Sequence, residues 1–158
     1  MKKSLWAGLL VSALMLLNTS VFAAGDHKFV LQVSDGNPAT FTQVLNVAGN
    51  LQKAYGLPNV EIEIVAFGYG LNMLIAQKAK SDSKEDMAAA KASAVIQDRI
   101  NGLAANQVQF AACETTIKGM TKKMGKAPVL NKNAVIAKGG GIVRIAELVG
   151  KGYILVRP

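Results

Sequence analysis

The chain has 158 residues, of which 51% are hydrophobic, and its 18 basic and 10 acidic side chains give a formal net charge of +8. A single cysteine excludes an intramolecular disulfide framework. The basic excess is mostly lysine with little interleaved arginine or aromatic residue, so we expect no nucleic-acid-binding surface.

The N-terminus has the pattern of a cleavable signal peptide. Two lysines precede an apolar run from Leu5 to Leu17, and Val21 and Ala23 satisfy the small-residue rule at a cleavage site. The apolar run is shorter than the roughly 20 residues that a membrane span needs. We therefore expect residues 1–23 to be removed and residues 24–158 to form one periplasmic or secreted domain without a membrane span.

Strands and helices alternate along the expected mature chain. Period-two apolar alternation predicts five strands, at 27–33, 60–67, 108–112, 134–138 and 153–156. Helical spacing predicts helices at 39–55, 71–80, 87–103, after Cys113 and at 142–149. In the last helix, the spacing places four residues inward: Ile142, Ile145, Ala146 and Val149. The alternation predicts an α/β fold, a three-layer α/β/α sandwich with a five-stranded, mostly parallel sheet.

The only cysteine follows a buried strand and precedes a helix. Thr115 and Thr116 are expected to cap the free N–H groups of that helix. Ligands of open α/β folds collect at this edge of the sheet, and a helix N-terminus favours the thiolate. Two interpretations of Cys113 stay equally open on the residues alone: a reactive thiol, or a small hydrophobe packed under the helix.

The glycine-bearing loop after the second strand lets a backbone or ligand approach closely. We expect it to face the cysteine. The predicted site therefore has Cys113 as its catalytic residue and a pocket formed by Gly68, Tyr69, Gly70, Glu114, Thr115 and Thr116.

Three other features favour structural roles. The run Gly139–Gly141 lacks the dinucleotide-binding and P-loop spacings, so we interpret it as a flexible turn. His27 is the only histidine, and we expect neither a metal site nor a cofactor. Glu61 and Glu63 share one face of a strand, where solvated charge is the simplest interpretation.

Three segments together resemble the DsrE/DsrF-like family. They are the helix, strand and cysteine of 98–116, the closing helix and strand of 141–158, and the glycine loop of 66–70. The resemblance covers essentially the whole mature chain. It implies a five-stranded α/β/α domain that forms trimers or hexamers. In the sulfur-relay members of that family, the cysteine matched by Cys113 carries sulfur as a persulfide.

The expected function is therefore sulfur or thiol handling through Cys113, as a persulfide carrier or transfer protein. Its partners would be a sulfane sulfur donor, a thiol protein and further copies of the chain. The alternative is a non-catalytic small-ligand-binding or assembly module in which Cys113 is structural. An exposed, low-pKa thiol favours the first function, and a buried, unreactive thiol favours the second.

Overall fold

A computed structural model describes residues 27–76 and 84–158. The predicted signal peptide and its cleavage site lie outside the described residues. The strands are β1 (His27–Val33), β2 (Val60–Ala66), β3 (Gln109–Cys113), β4 (Ala134–Ala137) and β5 (Ile154–Val156). The α-helices are α1 (Pro38–Tyr55), α2 (Lys84–Ala105), α3 (Glu114–Met124) and α4 (Gly141–Gly150), with short 3-10 helices at Leu57–Asn59 and Gly68–Leu74.

The five strands form one sheet in the order β4-β3-β2-β1-β5, and every pairing is parallel. β1 pairs with β2 along its whole length, from His27 opposite Val60 to Val33 opposite Ala66. The last strand returns across the sheet to pair with β1. The predicted α/β sandwich with a five-stranded parallel sheet is confirmed.

The two faces of the sheet are covered unequally. The larger core packs α1, α2 and the second 3-10 helix against one face, with Ile117 and Met120 of α3 beside it. On the opposite face, Ile145 and Leu148 of α4 pack against Val30, Val65 and other strand residues. Among the described elements, α4 is thus the helix that covers this second face.

Local sequence signals explain where α1 begins. The Asn37 side chain accepts a hydrogen bond of 2.9 Å from the Ala39 N–H, and Pro38 fills the first helical position. Gly56, with a φ of 81°, follows the helix at its C-terminal end. Within residues 27–76 and 84–158, no helix is long and apolar enough to cross a bilayer.

Two of the predicted elements differ from those found. The helix predicted at 71–80 is a 3-10 helix at Gly68–Leu74, and residues 77–80 lie outside the described part of the chain. Of the four residues predicted to face inward from α4, Ile145 is buried, and the prediction is wrong for the other three. Ile142, Ala146 and Val149 are exposed, while Gly141, Ile145 and Leu148 are buried. The apolar spacing of α4 fits two overlapping faces of the helix, the predicted one and the one that contains Gly141, Ile145 and Leu148. Packing on the sheet buries the second face.

Candidate functional site at Cys113

Cys113 lies where β3 passes into α3. It is the last residue of the strand and the N-cap of the helix, with an extended backbone at φ −62° and ψ 116°. The preceding Phe110, Ala111 and Ala112 are buried in the sheet. The sulfur therefore lies at the carboxyl edge of the sheet, where the first N–H groups of α3 lack helical partners.

Hydrogen bonds from two helices converge on this sulfur. The Gly141 N–H, in the first turn of α4, donates to Sγ over 3.1 Å. From α3, the Thr116 hydroxyl and the N–H groups of Thr116 and Thr115 also donate. Burial raises the pKa of the Cys113 thiol, but these hydrogen bonds outweigh it, so that the pKa lies below its usual value.

Thr116 connects the glycine loop to the thiol. Its hydroxyl oxygen accepts a hydrogen bond of 3.0 Å from the Gly68 N–H. The hydrogen bond between the same hydroxyl and the sulfur lowers the pKa of Cys113. The prediction that Thr115 and Thr116 act as side-chain caps is wrong, because Cys113 occupies the N-cap and the Thr116 hydroxyl bonds to another loop.

The run Gly139–Gly141 is part of the site, and its interpretation as a mere flexible turn is wrong. A Cβ on Gly141 would lie 3.0 Å from the Phe67 Cβ and 3.3 Å from the Cys113 Cβ. Gly140 has a φ of 113°, and a Cβ there would lie 3.1 Å from the Thr115 Oγ1. The absence of side chains lets the N-terminus of α4 approach the thiol. Three glycines between a strand and a helix were the available sequence signal.

Glu114 joins α3 to the same glycine run. One carboxylate oxygen accepts a hydrogen bond of 3.0 Å from the Gly139 N–H, and the other lies 2.8 Å from the Lys118 Nζ. The hydrogen bond from Lys118 and the one from Gly139 hold the pKa of Glu114 below its usual range. Glu114 therefore stabilises the loop beside the thiol as a carboxylate.

The other two residues of the glycine loop lie differently. The Gly70 N–H donates to the Ser34 and Phe67 carbonyls, and its backbone packs on the end of β1. The Tyr69 side chain is 78% exposed. Of the six predicted pocket residues, Thr115 and Thr116 thus hydrogen-bond the sulfur itself. Gly68 hydrogen-bonds Thr116, and Glu114 hydrogen-bonds the glycine run beside the thiol.

Two grooves, of about 300 and 570 Å³, lie along α1 and α2. Cys113 itself is 5% exposed. Within the described ranges, no group of three or more His, Cys, Asp or Glu side chains could hold a metal ion.

The interpretation as solvated charge is wrong for Glu63, whereas the Glu61 side chain is 33% exposed and lies 3.5 Å from the Lys28 Nζ. Glu63 is 1% exposed and forms a bidentate ion pair with Arg144 of α4. Glu61 accepts a hydrogen bond of 2.6 Å from the Tyr153 hydroxyl, and burial together with this carboxylate raises the pKa of Tyr153. α4 and the return of the chain to β5 cover this face, and strand periodicity does not reveal that cover.

No protein-family model matches the chain, and no curated protein matches it significantly. Two solved structures have a similar fold. MTH1491 from Methanobacterium thermoautotrophicum, a protein of unknown function, has a TM-score of 0.63 at 20% identity, over 84% of this chain and 99% of that one. The ychN protein from E. coli has a TM-score of 0.54 at 15% identity, over 83% and 99%. At these identities the likeness concerns the fold alone.

Proposed function

We propose that this protein is an exported DsrE-like protein that carries or transfers sulfur through Cys113. The observation that carries the proposal is the convergence of N–H groups from α3 and α4 on Sγ. Helix N-termini stabilise negative charge, and the thiolate is the nucleophilic form of cysteine. A lowered thiol pKa raises the fraction of thiolate at neutral pH.

The proposed step is an exchange at sulfur without net oxidation. The Cys113 thiolate attacks the terminal sulfur of a donor persulfide, R–S–SH. An S–S bond forms at Sγ, the S–S bond of the donor breaks, and its electron pair leaves on R–S⁻. An acceptor thiolate then attacks the terminal sulfur on Cys113, which forms the acceptor's persulfide and restores the Cys113 thiolate.

The burial of Cys113 favours the alternative function, a small-ligand-binding or assembly module with a structural cysteine. The hydrogen bonds argue against that alternative. A cysteine that only fills space behaves as a small hydrophobe and needs no polar partners. Here the Gly141 N–H of α4 and the Thr116 hydroxyl of α3 both hydrogen-bond the sulfur, which favours a negatively charged sulfur.

The test is the intact mass of the protein recovered from the exported fraction without reductant, before and after treatment with a polysulfide donor. We expect a chain that begins at Ala24 and gains the mass of sulfur, and the gain should be reversed by a thiol acceptor. Transfer of that sulfur to the acceptor would give the second half of the reaction.

Cys113→Ser is the matched control and should gain no mass. Absence of added sulfur on the folded parent protein would contradict sulfur handling and favour the structural role of Cys113. A chain that retains Met1 would contradict the proposed export signal.

We also propose that the protein forms a homo-oligomer, a trimer or hexamer. Support comes from apolar side chains exposed on α4 and β4: Val135, Ile136, Ile142, Val143 and Val149. Clustered exposed apolar surface is typical of protein interfaces. Light scattering should give the mass of a trimer or hexamer, and Ile142→Lys should lower it. Val95→Lys, which replaces an exposed side chain of α2, is the control. A monomeric parent protein at high micromolar concentration would contradict the proposal.

A further inference from the structure

A buried ion pair lies on the face of the sheet that α4 covers. Glu63, in the middle of β2, is 1% exposed and pairs in register with Val30 of β1 and Gln109 of β3. The Arg144 Nε donates to its Oε1 over 2.7 Å, and Nη2 donates to Oε2 over 2.6 Å. The hydrogen bonds to Glu63 raise the pKa of Arg144.

Such a pair is a weak source of stability. Removing two charges from water offsets most of their attraction, and apolar replacements of similar volume are often as stable or more so. The proposed sulfur exchange gives Glu63 no chemical role. What a bidentate arginine and carboxylate provide is a fixed geometry between the elements that carry them.

The element fixed here is the short helix whose first turn reaches the thiol. Apolar packing of α4 on the sheet comes from only two buried side chains of that helix, Ile145 and Leu148. The helix is preceded by Gly139 and Gly140, both with positive φ, which impose little constraint of their own on its direction.

The ion pair acts close to the N-terminus of the helix. The Arg144 N–H donates to the Gly140 carbonyl over 3.1 Å, the first hydrogen bond of α4. Gly141, whose N–H donates to Sγ, lies within this same turn. Fixing the Arg144 guanidinium on β2 therefore fixes the turn that presents the Gly141 N–H.

We propose that Glu63 and Arg144 are positioning residues for the thiol site, since their ion pair holds the first turn of α4 where Gly141 hydrogen-bonds Cys113. The inference rests on the thiol site of the proposed function and is independent of whether sulfur is transferred there. Its measurable consequence is a change in the ionisation of Cys113 when the pair is replaced.

The test replaces both charges together, as Glu63→Leu with Arg144→Met, so that neither charge is left buried alone. The chain has one cysteine, so isotope-labelled cysteine gives one Cβ resonance, whose pH titration reports the pKa without any need for reagent access. We expect the pKa of Cys113 to rise by about one unit, which is a tenfold lower ratio of thiolate to thiol at a given pH.

Arg144→Lys is the second variant, since it keeps the positive charge but loses the bidentate hydrogen bonding of the guanidinium. It should raise the pKa of Cys113 by less than the double variant does. It decides the question if the double variant does not fold. Glu61→Gln is the matched control, because Glu61 lies on the same strand and face and bonds to Tyr153 and Lys28. Titrations that leave the pKa of Cys113 unchanged in the folded variants, or changed no more than in Glu61→Gln, would overturn the proposal. If Cys113 takes up no sulfur, the proposed function is contradicted, but these titrations still test whether the ion pair positions the thiol site.

Discussion

Replacing Gly70 with alanine is expected to destabilise the protein by about 3 kcal/mol or more. The added Cβ would fall on the carbonyl oxygen of Val33, within 2.6 Å of the carbonyl carbon and 2.9 Å of the Ser34 nitrogen. These are backbone atoms at the end of β1, where the sheet and the Gly70 hydrogen bonds hold them. Relief of the clash requires the loop or the strand to move.

Denaturant unfolding of the two proteins measures this loss as a difference in unfolding free energy. Gly49→Ala is the matched control, because Gly49 lies inside α1 and its Cβ would meet no atom within 4 Å. It should be neutral or stabilise by up to about 1 kcal/mol, through helix propensity. Similar losses for Gly70 and Gly49 would contradict the close approach of Gly70 to β1.

Thr116→Val is expected to raise the pKa of Cys113 by about one to two units. The isosteric valine removes the hydroxyl that donates to the sulfur, and a hydrogen bond to a charged group contributes about 1.5–3 kcal/mol. It also leaves the Gly68 N–H without its acceptor. The rate of alkylation as a function of pH, or the Cβ resonance of Cys113, gives the pKa directly.

Thr115→Val is the control, since only the backbone N–H of Thr115 donates to the sulfur. Its effect on the pKa of Cys113 should be much smaller than that of Thr116→Val.

The stability of the folded protein should follow the same order. A thiol whose pKa is lowered by folding stabilises the protein fully above its unfolded pKa of about 8.5, and this contribution is lost as pH falls through the folded pKa.

The unfolding free energy of the parent protein, relative to that of Cys113→Ala, should therefore rise as the pH increases toward the pKa of the unfolded thiol. In Thr116→Val the rise should be smaller. A flat difference over this range, or equal pKa values for the two threonine variants, would mean that the Thr116 hydroxyl does not stabilise the thiolate.

The position of Cys113 could be predicted because it depends on local pattern. Apolar alternation through Phe110 and Ala112, followed by helical spacing, places the cysteine at a strand-to-helix junction in the sequence as in the structure. The strands were predictable for the same reason. Strands buried by two layers have strong apolar signals, and β1 was predicted with the bounds found.

The partners of the sulfur could not be predicted, because they come from distant parts of the chain. Gly141 reaches Cys113 only after β4 has paired beside β3, and Gly68 reaches Thr116 from the end of β2. The burial of Glu63 depends on which side of α4 faces the sheet, and the helix has two apolar stripes. Arg144, which lies between these stripes, could have indicated the burial of Glu63, since a cation on the buried side of a helix needs a carboxylate on the element that it packs against.

The return of the chain from β4 at one edge of the sheet to β5 at the other affects the order of folding. Phe29 pairs with Ile154, so the first and last described strands meet across the longest sequence separation in the sheet. Such closure is slow, because the loop entropy is lost before the contact forms. During synthesis, β1 to β4 and the helices between them leave the ribosome before α4 does. In a newly made chain, Cys113 therefore gains its hydrogen bond from Gly141 only when the C-terminal segment docks, after Thr115 and Thr116 of α3 are already beside it in the chain.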